Sequence, residues 1–380
     1  MTDKIKIHFG LLAFISLLLI YPIDGIKYVT SFFLPMPPFG MIGFIAASLL
    51  IPVFFAFKRP FRHTMMVLMY LLICLAMAFA MIQSNHFEID DLWTFFNTFF
   101  IAPTIGYFTF FFLKNSQQTT SIHKTLSFVL LILALLIAVH YSFRGLFPQS
   151  NYLRIAEATM FTGLLLLAYT QSTTERFFTT FFIIILLFLA ESRFSLFSFC
   201  ILTGIYFFFL SKRLLFYMLS SISILIISIL LISPDTLLQS RYYRLIFNTQ
   251  NDTSLNKREE LTEYGFQIIE NKPILGEFAY HKDLCSGCYT HNVFSFWFEF
   301  GISGIIFAVS TSIFMIYTGI QLLRLSKKEK NNSNFLLVSM LIITYSLIGI
   351  MFSKHWNYTT FYIALGAAFY FAEYRKLKYK

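Results

Sequence analysis

Apolar residues in this chain come in blocks of roughly 20, separated by short polar breaks that hold most of the charge. A helix needs about 20 such residues to cross a bilayer. Twelve blocks come close to or reach that length: 8–24, 39–57, 64–82, 93–113, 125–143, 156–171, 177–191, 195–210, 214–233, 292–320, 335–353 and 357–373. Within them the apolar positions go all round the helix, as they do in helices that face lipid or a bundle interior. The pattern predicts an all-α polytopic membrane protein with about 12 transmembrane helices. It divides the chain into residues 1–233 with nine helices, a long loop at 234–290, and residues 291–380 with three.

Composition sharpens this picture. Hydrophobic residues make up 57% and charged residues 13%, with 50 phenylalanines. A soluble domain carries about 25% charge and has too little interior to hide so much apolar surface. Soluble enzymes, disulfide scaffolds, disordered chains and nucleic-acid binders are set aside. The net charge of +10 then belongs at helix ends. With the first helix entering from the cytoplasm, 18 of the 29 Lys and Arg residues fall in inner loops, five in short outer loops and six in the long segment. Positive residues favour the cytoplasmic side, so both termini are expected there and the long loop outside.

Arginines on the outer side run against that rule and need a reason. They are Arg144, Arg154, Arg193, Arg241, Arg244 and Arg258. A guanidinium fork binds phosphate oxygens in pairs, so several around one cavity suit a diphosphate. The alternative is that they reach headgroup phosphates or pair with acidic neighbours. Residues 237–247 read as an amphipathic helix with Arg241 and Arg244 three apart, and 258–271 as a second helix stopped by Pro273 and Gly276. Next comes Tyr289-Thr290-His291-Asn292, an aromatic run, and Glu299-Phe300-Gly301-Ile302-Ser303-Gly304. Thr290 is a candidate N-cap that would put His291 and Asn292 in the first helical turn, where the positive helix end favours an anion. There His291 can act as a general base, or only hydrogen-bond lipid and loop carbonyls. Gly301 and Gly304 read as close-packing positions between helices.

These residues resemble a family. The ordered set Arg258, Pro273-Ile274-Leu275-Gly276, His291-Asn292 and Glu299-Phe300-Gly301-Ile302-Ser303-Gly304, with Ser192-Arg193 and Arg154 upstream, is similar to the signature region of the O-antigen polymerase and O-antigen ligase superfamily. The resemblance covers about residues 150–320. It implies a metal-independent, inverting glycosyltransferase of the membrane-embedded GT-C type, with no cofactor. It implies a donor glycan on undecaprenyl diphosphate at the periplasmic face of the bacterial inner membrane. By the same carry-over Arg193 and Arg258 would bind the diphosphate and His291 would deprotonate or orient the acceptor hydroxyl, so His291 and Arg258 are the expected catalytic residues. Arg154, and Arg241 and Arg244 from their outer position, are further expected diphosphate binders, with Asn292 and Glu299 in support. Glu157, Glu191 and Glu299 are rival bases, each expected to pair with an arginine instead.

Polymerase, with a lipid-linked repeat unit as acceptor and a chain-length-regulating co-polymerase as partner, is the favoured reading. Ligase, transferring to lipid A core, is the alternative. A lipid-linked oligosaccharide flippase is a third, but it would want polar groups near the bilayer middle, and most blocks lack one. Cys285 and Cys288 can form a disulfide, stay free, or bind zinc with His281 and His291, given the spacing His-x3-Cys-x2-Cys-x2-His. Cys74 and Cys200 read as packing residues.

Overall fold

The computed structural model describes residues 7–18, 64–142, 152–232, 253–283, 290, 292–329 and 332–378. Among them there are helices and turns and no strand. The helices are α1 (Ile7–Leu18), α2 (Thr64–Ile82), α3 (Ile89–Phe96), α4 (Ala102–Asn115), α5 (Thr119–Ser142), α6 (Tyr152–Tyr169) and α7 (Thr173–Leu189). They continue as α8 (Arg193–Leu210), α9 (Lys212–Ile232), α10 (Thr253–Asn271), α11 (Phe294–Lys328), α12 (Ser333–Phe352) and α13 (Thr359–Lys378). Their positions follow the apolar blocks; the block 39–57 and the helix expected at 237–247 lie outside the described residues. Among the described residues, five stretches are long and apolar enough to cross a membrane: Asp91–Asn115, Thr119–Val139, Arg193–Leu210, Phe294–Lys328 and Ser333–Phe352.

Small residues let the central helices approach closely. α13 packs along α4, and a Cβ on Gly106 would stand 2.0 Å from the Ile363 carbonyl oxygen. With lipid as solvent, such contacts and interhelical hydrogen bonds hold a bundle together where water-driven burial cannot. Aromatic rings fill the interior beside them: Phe99 packs on Phe307, Trp356 and Tyr362. A single π-turn, Asn97–Ile101, joins α3 to α4 just ahead of Pro103. Pro103 offers no N–H to the Phe99 carbonyl four residues back, and the Tyr70 hydroxyl donates to that oxygen instead.

The two ends of the bundle differ. At one end Asn334 on α12 donates to the carbonyls of Leu167 (2.7 Å) and Ala168 (2.9 Å) and accepts from Tyr206 (2.5 Å), tying α6, α8 and α12. At the other, the turn after α2, the segment after α10, the start of α11 and the α12–α13 turn converge. This second end is the loop end.

There α11 is not one straight rod. Gly301 has φ 59° and ψ −146°, so a short segment, 294–300, meets the long one at a break. The segment after α10 lies across the break: the Glu277 N–H donates to Phe298 O (2.8 Å) and the Ile302 N–H to Ile274 O (3.1 Å). Gly301 is therefore a conformational residue as well as a packing one. The expected N-cap at Thr290 is also corrected. The helix begins at Phe294, Asn292 Oδ1 accepts from the Phe294 N–H (3.0 Å), and the Thr290 hydroxyl is turned to Tyr280 instead.

Candidate functional site

The loop end gathers polar side chains in two joined clusters. The first is built by the segment that leaves α10. The turn Lys272–Gly276 closes with Gly276 N–H to Lys272 O (2.9 Å), and Gly276 takes the left-handed φ of 67° that a side chain would resist. Glu277 follows and is buried. Its carboxylate meets the Lys272 ammonium, the Ser84 hydroxyl (2.9 Å) and the Asn85 N–H (3.3 Å). Burial pushes this carboxyl up, but those hydrogen bonds outweigh it and hold the pKa below the usual carboxylate range. Glu277 thereby clamps the post-α10 segment to the turn after α2.

Two residues further on, the Ala279 N–H donates to Glu299 Oε2. Glu299 lies in the short segment of α11 and is 0% exposed. Its other oxygen, Oε1, stands 3.2 Å from His281 Nδ1 and 3.1 Å from His355 Nε2. His355 comes from the α12–α13 turn. The two imidazole rings sit edge to face at 5.7 Å. Phe278, Phe300 and Trp356 pack on one another and wall this cluster from the bundle core. The Tyr280 hydroxyl pairs with Thr290 and reaches Leu261 O (3.4 Å) on α10.

α10 presents one face to this cluster. Arg258, Leu261 and Gly265 recur at helical spacing, and Gly265 lies against the Phe298 ring. Arg258 is half-buried, with its Nε out of solvent contact. The guanidinium therefore starts from the inner side of α10.

The second cluster centres on Lys354, next in sequence to His355. Its ammonium pairs with Glu157 of α6 and lies 5.7 Å from the Phe194 ring and 5.3 Å from the Tyr358 ring. Burial first, and the neighbouring Arg154 second, pull this amine down to about 7. Arg154 is exposed at the start of α6, and Arg193 is half-buried at the start of α8, beside Phe194. Ser192 precedes it, with its Oγ 3.0 Å from that of Ser195. Lys354 thus bridges two helix starts, each of which carries one of the expected arginines and backbone N–H groups that favour an anion.

The structure so puts Arg154 and Arg193 at the two helix starts that Lys354 bridges, and Arg258 on the helix that covers Tyr280. His291, Arg241, Arg244, Cys285 and Cys288 lie outside the described residues. Asn292 serves the start of α11. The expected arginine partner of Glu299 is corrected, and Glu157 has a lysine partner. Glu157 meets the Lys354 ammonium, one turn on from Arg154 at the same helix start. Glu299 faces two histidines because its side is closed to solvent, where imidazoles are easier to bury than a guanidinium.

No motif marks Lys354 or His355, and the sequence marks His281 only as one of four candidate zinc ligands. The available signal was their place in breaks between apolar blocks on the side where the long loop lies. His281, Glu299 and His355 also form a group whose donor atoms lie within 4.8 Å of one another, a set able to hold a metal.

A family model described as O-antigen ligase matches residues 178–277. The matched stretch runs from within α7 to the segment after α10. It holds Arg193 and Arg258 and ends short of His291, Glu299 and His355. It supports the resemblance to the O-antigen polymerase and ligase superfamily, and with it a membrane enzyme of the polymerase or ligase type. No curated protein matches the chain.

Proposed function

We propose that this protein is a surface-polysaccharide polymerase of the bacterial inner membrane, with about 12 spans, both termini in the cytoplasm and the loop end in the periplasm. Residues 1–233 and 291–380 form the membrane bundle, and 234–290 form the periplasmic cap. The donor is a glycan on undecaprenyl diphosphate, and the acceptor is a lipid-linked repeat unit. A chain-length-regulating protein is the expected partner. The observation that carries this reading is the gathering of Arg154, Arg193 and Lys354 around two helix starts at the same end where α10 turns Arg258 inward.

The chemistry follows from charge. The acceptor hydroxyl attacks the anomeric carbon from the face opposite the diphosphate, and its oxygen forms the new glycosidic bond. The carbon–oxygen bond to the diphosphate breaks with inversion, and the lipid diphosphate leaves with the electron pair. Guanidinium forks from Arg193 and Arg258, with Arg154, Arg241 and Arg244 at the rim, stabilise the charge that develops on the leaving group. His291 takes the hydroxyl proton, and Asn292 and Glu299 support its surroundings. The charge stabilisation runs through guanidinium groups and needs no metal.

The ligase reading has the same donor half and a different acceptor, and the family match favours it equally. The lipopolysaccharide of a deletion strain separates them. Core bearing a single repeat unit supports polymerase; bare core with polymer left on the carrier supports ligase.

His291→Ala is expected to remove long-chain glycan while the protein still accumulates in the membrane. An unchanged glycan ladder would exclude the base role. Arg258→Lys is expected to lose tenfold or more in transfer, about 1.4 kcal/mol, because a point charge cannot make the paired contacts of the fork. Wild-type turnover with purified lipid-linked donor would argue against bidentate binding.

A further inference from the structure

We propose that His281, Glu299 and His355 bind one divalent transition-metal ion, zinc or a metal of its class, which staples three segments together at the loop end. The ligands come from the segment after α10, the short first piece of α11 and the α12–α13 turn. Two imidazoles and one carboxylate are a donor set that suits zinc and its first-row neighbours.

The spacing fits. Ligand atoms about 2.0–2.1 Å from a tetrahedral ion stand about 3.3–3.4 Å from one another. Glu299 Oε1 is 3.1 Å from His355 Nε2 and 3.2 Å from His281 Nδ1, and the three donor atoms lie within 4.8 Å of one another.

The alignment of one imidazole points the same way, whereas His355 Nε2 is hydrogen-bonded to Glu299 Oε1 at 3.1 Å. His281 Nδ1 is out of solvent contact and completes no hydrogen bond, although a carboxylate oxygen stands 3.2 Å away. In a hydrogen-bonded dyad the ring nitrogen aims along the line to its acceptor. Around a metal it aims at the ion, and the neighbouring ligand lies to one side. The supporting contacts also fit: Oε2, the oxygen turned away from the histidines, is held by the Ala279 N–H, as ligating carboxylates are held.

Burial supplies the need. A carboxylate at 0% exposure calls for a cation, and a divalent ion would supply it with both imidazoles neutral. His355 is 6% exposed and His281 16%, so ion and ligands would be shielded from water together. The ion would be structural, fixing the segment 277–283 over the bundle. It takes no part in the transfer chemistry proposed above, so either reading can fail without the other.

The test uses the full chain with a tag free of histidine, purified in detergent from cells supplied with zinc. Elemental analysis is expected to find about one equivalent of zinc, or of another divalent transition metal, per chain. His281→Ala and His355→Ala are each expected to lower that content at least fivefold. Chelation of the wild type should lower its thermal midpoint, and added zinc should restore it. Wild-type protein at background metal content, or metal that persists in both histidine variants, overturns the proposal. If neither variant folds, the wild type alone decides: chelation without loss of a metal equivalent and without a midpoint shift overturns it.

Discussion

Gly301→Val is expected to destroy activity and to lower the thermal midpoint in detergent by about 5 °C or more. Two costs add. The backbone at φ 59° and ψ −146° belongs to a region that is essentially glycine's, and forcing a side chain into it costs about 1–3 kcal/mol. A Cβ there would also stand 2.0 Å from Ile274 O and 2.3 Å from its carbonyl carbon, which is backbone and cannot swing aside. The segment after α10 would lift away, losing the Ile302 N–H to Ile274 O bond. That segment carries Glu277, the Ala279 N–H and His281, so the whole first cluster would loosen. Gly204→Ala is the control. It sits mid-helix in α8, and its Cβ would find its nearest neighbour 4.0 Å away. That change should be neutral, or stabilising by about 0.5–1 kcal/mol. Equal damage from both would mean that the break in α11 does not position the loop.

The contrast between these glycines shows what the sequence could reveal. Helix positions were legible because a span must be apolar on every face and about 20 residues long, a constraint strong enough to place most helix centres. The second helix of the long loop was legible too: 258–271 was expected and Thr253–Asn271 is found, with Pro273 and Gly276 beyond it. The break at Gly301 was not, because a glycine inside an apolar block reads equally well as a close-packing position between helices. Partners of the buried carboxylates were hidden for another reason. Glu299 and His355 are 56 positions apart, and Ser84 and Glu277 193 apart. Hydropathy places a residue at a depth and on a side; it does not say which helices are lateral neighbours. The arginines were found because charge on the unexpected side is a property of single positions. The histidine–carboxylate cluster needed the packing.

Glu299→Ala is expected to be the most damaging single change at the loop end. The carboxylate is fully buried and accepts the Ala279 N–H while facing two imidazoles. Removing the carboxylate leaves the Ala279 N–H and the two imidazoles without their buried acceptor, and each buried group left unsatisfied costs about 1–3 kcal/mol. Glu299→Gln keeps an oxygen for Ala279 but discards the charge and offers an N–H₂ donor. It should fall between wild type and alanine in thermal midpoint. Glu299→Asp keeps the charge on a shorter stem and tests reach. If the three segments are held through Glu299 as one unit, losses cannot add. Once Glu299 is alanine, changing His355 to alanine as well should cost far less than it does in the wild type, giving a coupling energy of about 1–3 kcal/mol. Additive losses in that double-mutant cycle, read from thermal midpoints in detergent, would show that the carboxylate and the imidazole are neighbours without being partners. The loop end would then owe its shape to the Glu277 clamp, the backbone bonds across the Gly301 break and the aromatic wall of Phe278, Phe300 and Trp356.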